Sequence, residues 1–336
     1  ILLEANKTGI YLTATDLEIA VTAKIDGEVV EEGSLTVPAR KFSEIIKELP
    51  SQNPIYISIK KGQAINIESG KSFIRLQGLL KDDFPQIPDL AQNKGSESVK
   101  ISQKTLKKMI QMTSFSMSHD ETRYVLNGIL FGFKDKALRL VATDGRRLAV
   151  MDEQVPDSSN LKKEVIVPAK TIQELNRNLA DDGDAVFYFK ENQLQISLGQ
   201  TNISSRLIEG EYPNYEQVIP KKIKESVELN TEDFLQATRR ASILTNPESQ
   251  GIKISFVKDR LIITKASPEF GEVREEIEAD YKGAEVLIGF NPSFLIDMLK
   301  NVEKETVQFG FSDPEKPALI KSGDNYTYIV LPMQTA

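Results

Sequence analysis

The sequence predicts an α+β fold of three similar domains with antiparallel sheets. The first observation behind this prediction is an internal repeat, because separate landmarks return in one order with an offset of about 128 residues. A repeat of that length is domain-sized and long enough to bury its own core. The matching segments are ATDLEIAV at residues 14–21 with ATDGRRLAV at 142–150, VPAR at 37–40 with VPAK at 167–170, and FPQIP at 84–88 with YPNYEQVIP at 212–220.

A third copy begins near Val227, where VELN at residues 227–230 lines up with VKIS at residues 99–102. We therefore predict domains at residues 1–96, 97–224 and 225–336. Residue Ile1 aligns with Ile129, whereas the second copy begins near Val99, so we expect about 30 residues of the first copy to be missing. They would form a strand, a helix and a loop. A naturally shorter first domain is the alternative.

Each copy consists of two similar halves: an extended run, a helix of about 12 residues, and several strands with apolar and polar residues alternating. Short turns between neighbouring strands favour antiparallel sheets over an alternating parallel fold. Asn291 and Pro292 suit the start of a helix. The predicted helices are residues 40–49, 102–115, 170–179, 231–244 and 292–302. Clear strands are predicted at residues 55–59, 64–67, 186–189, 193–197 and 260–264.

The composition gives little support to an enzyme. The chain has no Cys, which excludes disulfides and thiolate chemistry. It has only one His, and we expect no metal or cofactor. Its formal charge is −7. His119 lies in a polar loop. Residues 70–72 (GKS) lack the glycine and strand-to-helix context of a phosphate-binding loop, which favours a hairpin turn. Asp144 and its counterpart Asp16 could be catalytic acids, but a turn with an Asp cap is the better interpretation.

Basic residues recur on the predicted helices. Lys104, Lys107 and Lys108 share one face of the helix at residues 102–115 at spacings of three and four. The other, inner face is filled by Leu106, Met109, Ile110 and Thr113. Arg239 and Arg240 lie late in the helix at 231–244. A charged helix face is ordinarily only solvated surface. Its recurrence in an acidic chain indicates instead a shared basic wall that attracts phosphates without reading bases.

The end of the chain, residues 328–336, reads YIVLPMQTA, a strand followed by Pro and Met. An edge strand that closes the third sheet would explain it. Met beside aliphatic residues also suits a groove that accepts varied peptides.

Several motifs together resemble those of the bacterial sliding clamps, the DNA polymerase III β subunits. They are RYVLNGILF at residues 123–131, LVATDGRRLA at 140–149, EYPNY at 211–215, IGFNP at 288–292 and LPM at 331–333. The resemblance covers the whole chain. It implies a clamp fold with helices inside and sheets outside, closed head to tail as a homodimeric ring around duplex DNA. It also implies a processivity factor that tethers the replicative polymerase without sequence specificity, has no catalytic site, and works in the bacterial cytoplasm at the nucleoid.

The resemblance also implies three sets of residues. Polymerase, clamp loader and other partners would dock peptides on Leu126, Thr143, Gly145, Arg146, Arg147, Leu148, Pro213, Val218, Phe294, Ile329, Val330, Leu331, Pro332 and Met333. DNA would be faced by Lys104, Lys107, Lys108, Arg123, Tyr124, Lys170, Arg177, Arg239 and Arg240. The ring interface would use Phe73, Ile74, Leu76, Ile243 and Leu244.

The chain departs from the family pattern at three of these positions. Arg146 stands where many relatives have His, Phe294 where others have Tyr, and Gln334 where Arg often follows Met. Two other function classes stay open on the residues alone. One is an enzyme acting on nucleic acid with Asp144 or Asp16 as acid, and the other is a repeat scaffold that binds proteins only.

Overall fold

The computed structural model describes residues 1–60, 63–93, 95–158, 161–246 and 249–334. Within these residues, most elements are antiparallel strands, and five α-helices lie between them in sequence. Strands β1, β2 and β3 are Leu2–Asn6, Gly9–Thr15 and Ile19–Ile25. They are followed by β4 (Gly33–Thr36), α1 (Ala39–Glu48), β5 (Tyr56–Lys60), β6 (Ala64–Ser69) and β7 (Ser72–Gln77).

The rest of the chain repeats a pattern of one strand, one helix and three strands. The second copy has β8 (Glu97–Ser102), α2 (Gln103–Thr113), β9 (Gly128–Lys134), β10 (Ala137–Thr143), β11 (Arg147–Gln154), β12 (Lys163–Pro168), α3 (Ala169–Asn178), β13 (Asp184–Lys190), β14 (Gln193–Leu198) and β15 (Thr201–Arg206). The third has β16 (Glu225–Asn230), α4 (Thr231–Ser242), β17 (Ile252–Val257), β18 (Arg260–Ser267), β19 (Gly271–Glu278), β20 (Val286–Phe290), α5 (Pro292–Leu299), β21 (Thr306–Phe311), β22 (Ala318–Ser322) and β23 (Tyr326–Val330).

The predicted elements are confirmed, with shorter helix ends. The predicted helix at residues 102–115 ends at Thr113, whose hydroxyl donates to the carbonyl of Met109, and a 3₁₀ turn over Ser114–Ser116 follows. The predicted helix at 292–302 ends at Leu299. Asn291 caps it by accepting a hydrogen bond from the amide of Ser293. Hydrophobic periodicity located these helices, but it does not mark where the last turn opens.

The chain forms two compact units, residues 1–103 with 177–207, and residues 104–176 with 208–336. In unit 1, an eight-stranded sheet runs β4-β1-β2-β3-β15-β14-β13-β8 beside a three-stranded sheet β5-β6-β7. In unit 2, the corresponding sheets run β12-β9-β10-β11-β23-β22-β21-β16 and β19-β18-β17-β20. Each eight-stranded sheet thus joins strands from two successive copies of the repeat. The predicted domain boundaries remain a prediction.

Apolar residues from the alternating strands form the cores. In unit 2, Phe256 packs against Phe309 and Phe311, with ring centroids 5.2 and 4.4 Å away. The predicted inner face of α2 is confirmed, since Leu106, Met109 and other members are fully buried. Unit 1 has a cluster of Leu3, Leu35, Val37, Phe42, Ile65 and Ile67. No helix in the described part of the chain is long and apolar enough to cross a bilayer.

Candidate functional site

The turn between β10 and β11 is the part of unit 2 where the sequence motifs converge. The Thr143 hydroxyl donates to the carbonyl of Arg147 over 2.5 Å and accepts from the amide of Gly145 over 3.0 Å. One carboxylate oxygen of Asp144 accepts from the amides of Arg146 and Arg147. Gly145 has φ +87°, a left-handed conformation that favours glycine. The Asp-capped turn that the sequence predicted is confirmed, and it holds Arg146 exposed at the surface.

Arg147 is the centre of a charged cluster beside this turn, with only 9% of its side chain exposed. Its guanidinium bonds Asp144 over 3.0 Å and Asp297, on α5, over 2.8 Å. It also lies 4.6 Å from the ring centroid of Phe294 and 5.7 Å from that of Phe115. Burial alone would lower the pKa of Arg147, but the hydrogen bond to Asp297 and the nearby negative charges outweigh it and raise the pKa. The group is therefore a fixed cation.

The chain after β23 stays hydrogen-bonded to neighbouring backbone beyond the last residue pair of β11 and β23. β11 pairs with β23 so that Leu148 lies opposite Ile329. Beyond β23, the amide of Leu331 donates to the carbonyl of Arg146 over 3.0 Å, and the amide of Met333 donates to that of Gly289 over 2.9 Å. β23 lies inside its sheet, between β11 and β22, and is not the edge strand that the sequence suggested. The segment after β23 is bonded to neighbouring backbone rather than frayed, and Leu331 remains exposed.

A core cluster supports the turn from beneath. Tyr212 packs against this cluster, and its hydroxyl donates to the carbonyl of Val141 over 3.4 Å. Burial raises the pKa of Tyr212, so this hydroxyl keeps its proton. The cluster consists of Leu130, Val141, Leu148, Val150, Ile166, Leu319 and Ile329.

The fourteen predicted pocket residues differ in what they can offer a ligand. The exposed members are Gly145, Arg146, Pro213, Val218 and Leu331. Thr143, Phe294, Pro332 and Met333 are half-buried. Leu126, Arg147, Leu148, Ile329 and Val330 are buried. The exposed and half-buried residues around the turn form the accessible surface, whereas Leu148 and Ile329 belong to the core beneath it.

The carboxylates proposed as catalytic acids are engaged by their own turns. Asp144 bonds two backbone amides with one oxygen and Arg147 with the other. Asp16 likewise accepts from the amides of Glu18 and Ile19, each over 3.0 Å. His119 lies exposed in its loop, as predicted. The described residues contain no His, Cys, Asp and Glu group able to hold a metal ion. This arrangement favours turn structure over acid chemistry.

Several predicted DNA-facing side chains already contact protein groups. Lys108 forms an ion pair of 2.8 Å with Glu303, and Arg240 forms a bidentate pair with Glu275. Arg123 donates to the carbonyl of Asp144 over 3.3 Å, which places it at the turn just described. Lys104, Lys170, Arg177 and Arg239 are exposed, as is Tyr124, and Lys107 is half-buried.

The predicted ring-interface residues also differ in how exposed their side chains are. Phe73 on β7 is 61% exposed, and Ile243, just after α4, is 75% exposed. Ile74 and Leu76 instead pack partly against the core cluster of unit 1. Leu244 is half-buried. Phe73 and Ile243 are therefore the members most available for a contact.

Sequence reasoning missed Asp297, Phe115 and Tyr328 at the site. Tyr328 is fully buried, and its hydroxyl donates to the carbonyl of Phe294 over 2.8 Å. Asp297 closes the cluster around Arg147 from a helix 150 positions away in sequence. No local pattern pairs an acid with a distant arginine. The apolar run of α5, broken by one acid, was the only available signal.

Family models match nearly the whole chain. The models are the N-terminal domain of the DNA polymerase III beta subunit at residues 1–88, its central domain at residues 100–214, and its C-terminal domain at residues 216–334.

Relatives and solved structures agree with these models. The chain is 35% identical to the beta sliding clamp of Pseudomonas aeruginosa and 31% identical to that of Chlamydia pneumoniae, with 99% of the chain and 91% and 90% of the relatives covered. A crystal structure of the P. aeruginosa clamp superposes with a TM-score of 0.92 at 34% identity, covering 99% of this chain and 91% of that one. The Bacillus subtilis clamp gives 0.94 at 30% identity, covering 100% and 91%.

Proposed function

We propose a function for a chain that belongs to the family of bacterial DNA polymerase III β subunits, the β sliding clamps. Two copies close head to tail into a ring around duplex DNA and hold the replicative polymerase on its template, with no catalytic step of their own. The chain works in the bacterial cytoplasm, at the nucleoid. The observation that carries this proposal is the match of the chain to the three-domain clamp fold, over 99% of this chain and 91% of the P. aeruginosa clamp, with a TM-score of 0.92.

DNA is held by topology and weak phosphate attraction. Lys104 and Arg239 supply exposed charge from α2 and α4. Lys108 and Arg240 are tethered to acids, which moderates their attraction for phosphates. Moderate attraction suits sliding, because each phosphate neutralised adds to affinity and to salt dependence. Contacts of this kind carry no base information, which accounts for the absence of sequence specificity.

Partner proteins dock a short peptide at the turn between β10 and β11. Leu331, Val218 and Phe294 present apolar surface, and the exposed Arg146 adds a positive charge. An apolar anchor in such a surface supplies most of the affinity of a short peptide. Arg146 favours an acidic residue beside that anchor. The polymerase, the clamp loader and other clamp-binding proteins compete for this surface.

The ring contact joins the first domain of one copy to the third domain of the next. Phe73 and Ile243 support this geometry, because each exposes a large apolar side chain that a contact would cover. Ile74 and Leu76 contribute indirectly, because they pack β7 against the core cluster of unit 1.

Primer extension on primed circular DNA tests the proposal, with the cognate polymerase and clamp loader present. We expect product length per binding event to rise when the clamp is added. Leu331→Asp should abolish that rise, because the polymerase and the clamp loader both dock at this surface. Combined Lys104→Glu and Arg239→Glu should weaken loading. Lys7→Glu, an exposed substitution in the turn between β1 and β2, is the charge control. Unchanged product length with the clamp present would contradict the function.

A further inference from the structure

Unit 1 contains a cavity of about 370 Å³ at the turn between β2 and β3. The turn, the segment at residues 85–90 and the adjoining ends of β14 and β15 form its walls. Ala20, Leu90 and Leu194 line it with buried apolar surface. Its volume lies within the range of about 300–1,000 Å³ that ligand pockets in proteins occupy.

The wall opposite the turn is held in place by a buried side chain. Gln195, 2% exposed, accepts from the amide of Leu90 over 2.6 Å and donates to the carboxylate of Asp89 over 3.3 Å. A buried amide with both ends bonded fixes its partners tightly. The cavity is therefore a formed feature of the fold rather than a gap between loose loops.

The turn at this cavity has the same backbone frame as the turn at the proposed peptide site. The Thr15 hydroxyl donates to the carbonyl of Ile19 over 2.7 Å and accepts from the amide of Leu17 over 3.0 Å. The amide of Arg206 donates to the carbonyl of Glu18 over 3.2 Å. In unit 2 the corresponding bonds come from Thr143 and from the amide of Leu331.

Leu17 stands where unit 2 has Gly145, and its conformation is strained. Its φ is +76°, in the left-handed region that a Cβ disfavours, and 73% of its side chain is exposed at the cavity. Glycine would remove the strain, and folding gains little from an apolar side chain left in water. A residue held in this way at a cavity points to a contact with a ligand.

The charges at the mouth indicate what kind of ligand fits. Glu18 and Arg206 both line the cavity, and the amide of Arg206 donates to the carbonyl of Glu18. Their opposite charges leave this part of the lining without net charge. In unit 2 the corresponding positions are Arg146 and Leu331, which leave a positive mouth. A ligand with a net charge gains no net attraction from such a lining, so apolar contact with Leu17 and the buried residues is left to supply the affinity.

We propose that this cavity is a second peptide-binding site, which takes a short uncharged segment of a partner protein with an apolar side chain seated beside Leu17. The proposal goes beyond clamp function, since neither DNA nor the peptide surface of unit 2 takes part. The partner thus differs in chemistry from those that the positive turn of unit 2 selects.

The test uses the intact chain with methyl-labelled leucines and the uncharged peptide acetyl-Gly-Leu-Leu-Phe-Gly-amide. We expect saturable shifts of the Leu17, Leu90 and Leu194 methyl signals, with an affinity insensitive to salt. Leu17→Gly should weaken binding at this cavity about tenfold, because it removes the apolar contact and leaves a residue suited to the backbone. Val30→Gly, which removes another exposed apolar side chain outside the cavity, should leave the affinity unchanged.

The same titration in a Leu331→Asp background separates this site from the one in unit 2. Shifts at Leu17, Leu90 and Leu194 that persist in this background support the proposal. Their absence from the unsubstituted chain, at peptide concentrations that saturate the unit 2 signals, overturns it, as does a binding curve that Leu17→Gly leaves unaltered. Unit 2 signals that still shift in the Leu331→Asp background contradict the proposed docking function and leave the second site standing.

Discussion

The turns at Thr143 and Thr15 share one hydrogen-bonded frame, yet their side chains differ at almost every exposed position. In both, the threonine hydroxyl bridges the turn and the aspartate caps the next amides. Arg147 in unit 2 corresponds to Ile19 in unit 1. The two copies thus share the backbone hydrogen bonds of the turn, whereas their exposed side chains differ in charge and size.

The largest consequence of this difference concerns stability. Arg147 connects the turn to α5 through Asp297, whereas the Ile19 position carries no charge. The stability of unit 2 therefore depends on the Arg147–Asp297 ion pair, whereas unit 1 has an uncharged residue, Ile19, at the corresponding position.

We expect Arg147→Met to have the largest effect, a loss of about 2 to 4 kcal/mol in the free energy of unfolding. Removal leaves Asp297 without its main partner, and the loss falls below that of a fully buried pair because Asp297 is 27% exposed. Urea denaturation measures it. Arg146→Met, one position earlier on exposed surface, is the matched control and should change stability by less than about 0.5 kcal/mol. Equal losses in the two variants would show that the cluster is not stabilising.

Thr143→Val and Thr15→Val test the shared frame. Each removes a hydroxyl that makes two turn hydrogen bonds while keeping the side-chain shape. We expect losses of about 1 to 2 kcal/mol, similar in both turns. Thermal unfolding of the two variants side by side measures them. A large effect at one turn and none at the other would contradict the common frame.

Substitutions at Gly145 and Leu17, the residues with positive φ in the two turns, test the role of backbone strain. Gly145→Leu should cost about 1 to 2 kcal/mol, because a Cβ is disfavoured there. Leu17→Gly should change stability by no more than about 0.5 kcal/mol, because relief of strain offsets the greater flexibility of glycine in the unfolded chain. Gly145→Asn, which tolerates this conformation, is the control and should lose less than Gly145→Leu. Equal costs for Leu and Asn would argue against backbone strain.

We expect the smallest effect on stability from lowering the pH. Burial raises the pKa of Asp297, but hydrogen bonds from Arg147 and Lys300 outweigh it and hold the pKa below 3.8. A depressed pKa stabilises the folded state above the unfolded value, and this contribution is lost as pH falls through the lower folded value. The penalty of Asp297→Asn, measured by urea denaturation, should therefore be constant near neutral pH and shrink below pH 3.8. A penalty that stays constant into that range would contradict the depressed pKa.

The local features of this chain could be predicted from sequence, whereas its long-range contacts could not. Helical spacing identified the buried face of α2, and the repeated ATD motif located both turns. The pairing of β3 with β15 joins strands from different copies, and no local pattern encodes a partner about 180 residues away. The same limit hid the bond from Arg147 to Asp297. Burial of Leu148 beneath the turn also escaped prediction, because alternation gives a residue's face but not what covers it.

Retention on DNA distinguishes a ring that encircles the duplex from a protein that only binds phosphates. The chain is loaded on nicked circular DNA and washed at high salt, and the same DNA is then linearised. A clamp that encircles the duplex should stay on the circle through the wash and leave once the circle is cut, because salt weakens phosphate contacts but does not open a ring. Departure from the intact circle as fast as from linear DNA would contradict the account.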